Sequence, residues 1–546
     1  MAQTEKQQSS QNHHPSENNC RSQKERGYCD KANRFALWAD KYPWHVWLLP
    51  LAGLVSLVWF LVRVIPKPSR AAYPCQRLAA PLAGGFIAWI AGLIGSAFVY
   101  RKARRLMNKS RYVLAGIFTF AAVAIIWGTL CLTSIKPMEA AFEPSEPANS
   151  PIGVARGIYP GRVVWIRDPD ATNWDQQNGN WWDDDNTDQS RVDDMISKSI
   201  QKLTGQSSDS SAWNALFKHF NKTRGSGEVG YKKGEKIAIK INMNQERGRD
   251  WSPDIGLPSP HVVYSLVDQL INNAGMAGSD ITIYDASRYI GDPIYDKIRS
   301  NTDDNFQSIR FVVSPGSAGN GRIGATPDID NPLLTRAGTA YLPKCVTEAK
   351  YIINLALIRA HTMFGVTLCA KNHFGTTYFP DNGGWTPRPL HNYGKSGDSM
   401  GTYNCLVNLN GHKELAGKTL LYMIDALYPA RFQSGPVTKF AAFDNDWFSS
   451  IFVSQDMVAI DSVGLDFLRD EQKLNPNITN VRGNPDNYMH EAALANNPPS
   501  GTKYDPESDG IALESLGVHE HWNNPKDRKY SRNLGTGEGI ELISLE

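Results

Sequence analysis

The sequence lacks several patterns that would place it in a well-defined class. Its seven cysteines include no C-x-x-C pair, which argues against zinc ribbons, ferredoxin-type clusters and thioredoxin-like redox sites. The formal net charge of +2 over 546 residues is close to neutral, so no global field favours nucleic acid. The segment DPESDG at 505–510 begins like an EF-hand, but Leu516 stands at the twelfth position, where that motif needs Glu.

Charged residues are also absent from three long segments near the N-terminus. Segments 42–62, 78–100 and 112–135 contain no Asp, Glu, Lys or Arg, and about 20 mainly apolar residues can cross a bilayer. The pattern predicts a small all-α transmembrane region of three helices in contact with the lipid bilayer. Basic residues are enriched before the first segment and between the second and third. The positive-inside rule then predicts the cell (inner) membrane, a cytoplasmic N-terminus and a periplasmic or other extracytoplasmic C-terminal domain.

The predicted domain organisation follows from these shifts in composition. A polar stretch at 1–40 is expected to be a disordered cytoplasmic tail, and 41–136 is the expected transmembrane region. A Pro/Ser/Glu-rich stretch at 137–157 is typical of a linker. An α/β domain is predicted at 158–470, followed at 471–546 by an irregular extension that packs on it.

Short apolar strands alternate with helical patterns from about residue 161. The run KIAIKI at 236–241 predicts a strand. A helix is predicted next, with Ser259 as its cap, Pro260 in its first turn and Gly275 after its end. The run DITIYDASR at 280–288 predicts another strand. Strand, helix, strand at this spacing indicates a βαβ unit, so the fold class is α/β with a mainly parallel sheet flanked by helices.

Polar residues follow most of the predicted strands. The following residues stand directly after a strand: Arg167 and Asp168; Asn242 and Asn244; Asp285, Ser287 and Arg288; Arg359 and His361; Asp425; Gln455 and Asp456. Ligands of open α/β sheets bind outside the carboxyl ends of parallel strands, so these groups are expected to converge on one edge. The alternative is that they are ordinary solvated strand ends and helix caps.

The middle of the chain, at roughly 160–470, resembles the domain of unknown function 362 family. The resemblance is carried by KINMN (240–244), SPHVV (259–263), YDASR (284–288), AKYIINLALIRAH (349–361), GVTLCAKNHFG (365–375) and DMVAIDSVG (456–464). It implies a fold and a site but no reaction, because the family is defined without an activity.

Two departures from the family pattern bear on chemistry. The family usually has Lys-x-His where this chain has Arg359 and His361, and arginine stays protonated, which disfavours a Schiff base or proton transfer at 359. Some members carry ferredoxin-like cysteine motifs that this chain lacks, so no iron–sulfur cluster is expected.

The predicted site suits an anionic small molecule. His361 is predicted as a catalytic acid–base group because an ordinary histidine pKa lies near neutrality. Lys371 is predicted as a second catalytic residue that stabilises a developing oxyanion. The predicted substrate-binding residues are Lys240, Asn242, Asn244, Asp285, Arg288, Arg359, Asn372 and His373. A structural role for His361, capping or bridging backbone, is the alternative.

The sequence identifies no cofactor, and it assigns no residue as a metal ligand. A divalent metal is possible if Asp285, Asp425, Asp456 or Asp461 joins His361 or His373. His519 and His521 in GVHEHW would share a face if extended. With no third ligand assignable from the sequence, the pattern favours surface histidines for that pair.

Two functions from different classes remain open. The first is a membrane-anchored extracytoplasmic enzyme of unknown reaction that acts on an anionic small molecule at the carboxyl ends of its strands. The second is a non-catalytic anion-binding or sensory module of the cell envelope. A third reading, a structural protein whose cluster is a buried network, predicts that changes at Arg359 and Lys371 affect stability alone.

Overall fold

The computed structural model describes residues 54–59, 61–62, 74–133, 144–244, 251–395, 397–478, 481 and 483–546. The chain divides into two compact units, with the boundary between Phe142 and Glu143. The predicted tail at 1–40 lies outside the described residues, as do much of the first predicted span and part of the predicted linker.

In the first unit, helices α1 (Pro74–Met107) and α2 (Tyr112–Thr133) pack against each other, and the described residues 54–59 and 61–62 are also helical. Within the parts of the chain that the structure describes, no helix combines the length and the apolar character needed to cross a membrane. The prediction of three transmembrane helices in a lipid bilayer is therefore wrong. The inner-membrane location, the cytoplasmic N-terminus and the extracytoplasmic C-terminal domain were derived from it and are wrong with it. For the second predicted span, α1 continues past the uncharged stretch through Arg101, Lys102, Arg104 and Arg105, which were expected in a loop.

The second unit carries all the strands of the described residues and the remaining helices. The helices are α3 (Gln189–Thr204), α4 (Asp209–Thr223), α5 (Pro260–Asp268), α6 (Asp292–Arg299), α7 (Asp304–Ser308), α8 (Lys344–Thr347), α9 (Cys369–Asn372), α10 (Cys405–Gly411), α11 (Met457–Leu474) and α12 (Asp486–Ala493). The strands are β1 (Ile152–Gly153), β2 (Arg162–Arg167), β3 (Ile237–Ile241), β4 (Ile281–Asp285), β5 (Arg310–Val313), β6 (Arg322–Gly324), β7 (Pro327–Thr335), β8 (Gly338–Pro343), β9 (Tyr351–His361), β10 (Gly365–Thr367), β11 (Tyr378–Phe379), β12 (Gly384–Trp385), β13 (Thr419–Ala430), β14 (Ser450–Ser454), β15 (Val518–His519) and β16 (Glu541–Leu545).

One large mixed sheet organises this unit. Its order is β16–β2–β14–β13–β9–β3–β4–β5–β6, and β10 folds back on β9. Every neighbouring pair along this path is parallel except the two that involve β14, which runs opposite to β13 and β2. The carboxyl ends of the other strands on the path therefore share one edge, called here the carboxyl edge. Gln455 and Asp456 follow β14 and lie at the opposite edge, so the prediction that they join the others is wrong.

The sheet is covered on both faces. The side chains of Ile237, Ile239 and Ile241 on β3 enter one apolar core, with helices α3 to α6, whereas Ala238 enters the other, with α10 to α12. All eleven residues of β9 are buried, as expected for a central strand with both faces covered. Lys240 has the parity of Ala238 and so points to the second face.

The predicted helix after β3 is present and shows the expected cap. The Ser259 hydroxyl accepts a hydrogen bond from the His261 N–H at 3.3 Å, and Pro260 occupies the first turn. The helical path continues as one π-turn, Gln269–Asn273, and the chain leaves it through Gly275 at φ 72°. A smaller sheet, β12–β11–β8–β7, and the pair β1–β15 complete the unit.

Candidate functional site

Two joined cavities open at the carboxyl edge. The outer cavity has a volume of about 630 Å³, and its walls include Arg288, Ser314 and His361. The inner cavity is only about 30 Å³ and is lined by Lys240, Asp285, Lys371 and Asn372, among others. The two share Asn244, Ser287, Pro387 and His391 as walls. A ligand held in the outer cavity can therefore extend a small group toward the inner one.

The floor of the inner cavity is a buried ion pair. Lys240 Nζ lies 3.1 Å from Asp285 Oδ2 and donates to the Ile241 carbonyl at 2.6 Å. Asp285 also accepts hydrogen bonds from the Met243 N–H and from the N–H and hydroxyl of Ser287, each at 3.1 Å. Burial lowers the pKa of Lys240, while the Asp285 carboxylate opposes that shift. The strand ends of β3 and β4 are thus fixed to each other by a pair of opposite charges.

Asn372 joins this pair to the central strand. Its side-chain oxygen accepts from Lys240 Nζ at 3.2 Å. Its amide nitrogen donates to the Asn354 side-chain oxygen at 2.8 Å and to the Leu355 carbonyl at 3.1 Å. Asn354 in turn donates to the Cys369 carbonyl at 2.9 Å. These contacts attach helix α9, which carries Lys371 and Asn372, to the middle of β9.

Lys371 is buried without an acidic partner among the described residues. Its Nζ lies 3.4 Å from His391 Nε2 and stands over the rings of Phe374 and Phe364, at 4.4 and 5.0 Å from their centroids. Burial, with smaller contributions from the nearby Arg359 and Arg288 charges, lowers the pKa of Lys371 to about 7. The amine can therefore both accept and release a proton near neutral pH.

The hydrogen bonds of the two site histidines define their tautomers. His361 Nδ1 accepts the N–H groups of Met363 and Phe364 at 3.1 and 3.2 Å, which leaves the proton on Nε2. His391 Nδ1 lies 2.9 Å from the Pro387 carbonyl, to which it must donate, so its Nε2 accepts from Lys371. The rings of His361 and His391 stack with centroids 6.0 Å apart. Each histidine therefore has one nitrogen committed to the backbone.

Both histidines are neutral at physiological pH. Burial, followed by the Lys371 charge, lowers the pKa of His361 well below its usual value of 6.5. The same two causes lower the pKa of His391 to about 4. The expectation that His361 would titrate near neutrality is therefore wrong. Lys371 is the group of this site whose proton exchange falls in that range.

Two arginines flank the cavities without a carboxylate partner among the described residues. Arg359 is fully buried and donates to the Asn242 side-chain oxygen at 2.5 Å and to the Gly256 carbonyl at 2.9 Å. Arg288 is half-buried and donates to the carbonyls of Asn244 and Ser287 at 3.0 and 2.8 Å. Together with Lys371, these residues leave the surroundings of the two cavities with an excess of positive charge.

The structure brings most of the predicted site residues together. The following residues line the two cavities: Lys240, Asn242, Asn244, Asp285, Arg288, His361, Lys371 and Asn372. Arg359 lies behind Asn242 and supports it. His373 is buried, its Nδ1 lies 3.3 Å from the Thr376 hydroxyl, and it lines neither cavity. Burial lowers the pKa of His373 to about 3.

Three of the four aspartates considered as metal ligands, all except Asp285, hold backbone N–H groups in separate places. Asp425 accepts from Ser259 at 2.6 Å, Asp456 accepts from Ala459 at 3.0 Å, and Asp461 accepts from Cys369 at 2.8 Å. Burial raises the pKa of each of these carboxyl groups to about 6. In the described part of the chain, one set of three side chains places potential metal-ligand atoms within 4.8 Å of one another. It consists of Asp486, His519 and His521 and does not include any of these aspartates.

Sequence reasoning missed His391 and Asn354. His391 lies in a short 3-10 turn, Pro389–Asn392, within an irregular segment that has no periodicity to mark it. Asn354 lies inside an otherwise apolar strand, and that interruption is a signal that could have been used, since a buried amide needs partners.

A further cavity, of about 280 Å³, lies at the opposite edge near Arg156, Arg224 and Tyr422. The guanidinium of Arg224 already donates to the carbonyls of Ala416 and Gly417, and that of Arg156 to the carbonyl of Ser515. The described residues that line this cavity include no lysine and no carboxylate. The carboxyl edge, which combines acid, base and cation, is the stronger candidate site.

Comparison with known proteins identifies the class and adds no activity. Residues 237–466 match the family described as Domain of unknown function (DUF362). The central part of the chain is therefore a domain of this family, which confirms the resemblance predicted from the sequence. The matched segment runs from the start of β3 into α11 and includes every predicted site residue. No curated protein matches the chain at a significant level.

Proposed function

We propose that the domain is an enzyme that binds a small anionic molecule in the two joined cavities and moves a proton through Lys371. The observation that supports this most strongly is the buried Lys371 amine, whose pKa of about 7 is set by its surroundings. A lysine held in this state costs stability, because its ammonium form has been removed from water. Such groups are concentrated at active sites, although structural networks also produce them.

Charge supports an anionic substrate. Arg288, Arg359 and Lys371 have no salt-bridging carboxylate among the described residues, and Asp285 is already paired with Lys240. A carboxylate, phosphate or sulfate group in the outer cavity would balance this charge, and Arg288 is the one of these three residues that lines that cavity. A neutral or cationic ligand would leave the excess uncompensated.

Each polar group then has a role in the proposal. His361, whose free proton is on Nε2, donates a hydrogen bond to the substrate. Lys371 accepts or releases the transferred proton, and His391 Nε2 holds the amine in place. Asn242 and Asn244 orient the substrate from the end of β3. The Lys240–Asp285 pair and Asn372 hold the strand ends at the spacing that the site needs.

The first experiment tests anion binding. Thermal unfolding of the full chain would be followed with inorganic phosphate, then with mono- and dicarboxylates and phosphate monoesters, each beside a neutral analogue. We expect anions to raise Tm, and Arg288→Gln to weaken the best ligand by about 10- to 100-fold, the loss expected for one charge-assisted hydrogen bond. Equal stabilisation by neutral analogues would overturn the proposal.

A second experiment separates an enzyme from a binding module without turnover, the alternative function. Ligands that stabilise the wild type would be incubated with the wild type and with Lys371→Met, and the products followed by mass spectrometry. The enzyme requires turnover by the wild type that Lys371→Met abolishes while the ligand still binds. Lys198→Met serves as the control, because Lys198 is an exposed residue of α3 paired with Asp194. Binding without turnover in both proteins would support the alternative.

A further inference from the structure

A group of histidines and one aspartate lies outside the segment that matches the family. It comprises Asp486 and His490 on α12 and His519 and His521 at β15, and is called here the C-terminal histidine cluster. One ligand atom from each of Asp486, His519 and His521 lies within 4.8 Å of the other two. His490 follows Asp486 by four residues on the same helix, and its ring centroid is 4.9 Å from that of His519.

The spacing of these residues brings their side chains to one point. Residues four apart share one side of a helix, which applies to Asp486 and His490. His519 ends the two-residue strand β15, and His521 follows it by two residues with its ring centroid 5.0 Å from that of His519. One face of α12 therefore meets the segment 519–521, and each contributes two residues of metal-ligand type. The structure supplies the third ligand that the sequence could not assign to the histidine pair.

In both histidines of that pair, Nδ1 already forms a hydrogen bond that orients the ring. His519 Nδ1 lies 2.8 Å from the Ser462 hydroxyl, which donates its own proton to the Val458 carbonyl at 2.7 Å. His519 Nδ1 must therefore carry a proton, and Nε2 has a free lone pair. His521 Nδ1 lies 2.6 Å from Asp466, a carboxylate that also accepts from Trp522 and Tyr530.

This arrangement is the one that metal-binding histidines need. A histidine ligand normally donates its other ring N–H to a carboxylate or another acceptor, which fixes the ring and increases its basicity. Asp466 and Ser462 occupy those positions on α11. His519 is buried and the side chain of His521 is 35% exposed, so solvent reaches the cluster from one side.

We propose that Asp486, His519 and His521 bind a divalent first-row transition metal of the zinc or iron(II) type, with His490 as a further ligand. Two imidazoles and one carboxylate suit these ions and are poor ligands for magnesium or calcium. The ion would fasten α12 to the segment around β15, and the contacts of Ser462 and Asp466 with the two histidines would connect this site to α11.

Arg469 is the competitor of the metal. Its guanidinium forms a fork on Asp486, with contacts of 2.9 and 2.5 Å, and Nη1 lies 3.4 Å from His521 Nε2. The cluster therefore has an alternative without metal, in which Arg469 and a proton on His521 neutralise Asp466 and Asp486. The metal site and the ion-pair network without metal predict different results when Arg469 is replaced.

The test uses the full chain, dialysed against a chelator and then titrated with Zn²⁺, and with Co²⁺ for its visible spectrum. We expect one ion per chain and a higher Tm with zinc. His519→Ala and His521→Ala should each weaken binding by at least about 10-fold, and Asp466→Asn by about 10- to 100-fold, the range for residues that orient a ligand. His219→Ala, a histidine far from the cluster in sequence, is the control and should bind normally.

Arg469→Gln decides between the two readings. If the cluster binds metal, removal of the competing guanidinium tightens zinc binding by several-fold. If the cluster is an ion-pair network, Arg469→Gln lowers Tm and leaves zinc affinity unchanged. Asp486→Asn, which keeps the shape of the side chain, covers the case in which the histidine variants fail to fold. Equal zinc binding by the wild type and Asp486→Asn would overturn the proposal.

Discussion

The amine of Lys371 is surrounded by two aromatic rings, a neutral imidazole and two guanidinium groups, and no described carboxylate offsets its charge. Such an environment favours the uncharged form. A side chain kept for stability alone would not be a lysine, because an apolar residue of similar volume fills the same space without the cost of desolvating a charge.

Replacement of Lys371 by Met should therefore stabilise the protein at neutral pH. The pKa of Lys371 falls from 10.5 in the unfolded chain to about 7 in the folded protein. Between these values the unfolded chain binds the additional proton, so this residue makes the free energy of unfolding rise with pH. Lys371→Met removes the penalty and should gain about 1–4 kcal/mol near pH 7. The gain should shrink as the pH approaches 10.5.

Urea unfolding of wild type, Lys371→Met and the exposed control Lys198→Met at several pH values measures this difference. The comparison isolates one residue, because all other titrating groups are shared. A Lys371→Met protein that is less stable than the wild type at pH 7 would show that the contacts of the amine with Phe374 and His391 outweigh its desolvation. The case for a functional lysine would then lose its main support.

Gly375 is a second residue that the site depends on. A Cβ added there would lie 2.6 Å from Asp285 Oδ1, and Asp285 is held in place by Lys240 and three hydrogen bonds. We expect Gly375→Ala to cost about 1–3 kcal/mol, the usual cost of overpacking, and to disturb the Lys240–Asp285 pair.

Gly316→Ala is the matched control, because a Cβ there meets no atom within 4 Å. Denaturant unfolding gives both stabilities, and anion binding shows whether the site has moved. Equal stability of the two variants would mean that Asp285 is free to shift, and the rigid floor described above would be wrong.

At the level of single elements, helix α11 connects several parts of the unit through its buried polar side chains. Asp456 caps its first turn and also accepts the N–H groups of Arg156 and Val518 at 2.9 and 3.2 Å. Asp461, in the second turn, accepts the N–H groups of Cys369 and Ala370 and the hydroxyl of Tyr488. Helix α9, which carries Lys371, is thus held at its start by α11.

Removal of the buried cap should cost more than removal of an exposed one. Asp456→Ala deletes the cap of α11 and leaves the N–H group of Arg156 and the buried N–H group of Val518 without this acceptor. We expect a loss of about 3 kcal/mol or more. Asp188→Ala deletes the cap of α3, where the half-exposed side chain accepts only from Arg191 at 3.2 Å, and should cost about 1 kcal/mol.

Thermal or urea unfolding of both variants tests this ranking, and anion binding serves as the second measurement. Asp456 lies at the edge opposite the candidate site, so binding should be retained at temperatures where the variant is folded. Equal losses for the two caps would show that the additional partners of Asp456 contribute little.

Elements with strong local patterns were predictable from the sequence. The run 236–241, the Ser259 cap and the start of the strand at 351 follow from apolar periodicity and capping residues, and the structure shows them at nearly those positions. Strand β9 continues to His361, however, and so includes Arg359 and His361, which were expected after its end. The direction of a strand has no local signal, since the apolar run SIFVS is compatible with a parallel or an antiparallel strand. For that reason Gln455 and Asp456 were assigned to the wrong edge.

The sequence predicted only those residues of the candidate site that lie at or next to the end of a strand. Asp285, Arg288 and His361 stand at or next to strand ends, and the parallel order brings those ends together. His391 lies in an irregular segment, which has no sequence pattern that would place it at the site. Burial also lowers the pKa of His361 and of Lys371, and the sequence alone does not show that burial. The second predicted span, 78–100, lacks charge, but the helix that contains it, α1, also includes Arg77 before that segment and four basic residues after it.

At the scale of the whole molecule, the family segment 237–466 is not a complete sheet. Strands β2 and β16 extend the large sheet beyond it on one side, and both lie outside the matched residues. β16 pairs in parallel with β2, and Arg162 on β2 contacts Glu541 at 2.7 Å. Ile540 and Leu542 are buried at this junction. The chain after α11 is therefore part of the sheet that supports the site.

We expect the fragment 144–546 to fold without the first unit, with Tm within a few degrees of the corresponding transition in the full chain, because both apolar cores of the described sheet lie within it. The fragment 144–539 lacks β16 and exposes the edge of β2. It should lose about 3 kcal/mol or more, from burial of two large apolar side chains, and should aggregate more readily, since an open strand edge pairs with other chains. Circular dichroism, urea unfolding and light scattering of both fragments would test this. If 144–539 matched 144–546 in stability and solubility, β16 would be dispensable and the sheet of the family segment would be self-sufficient.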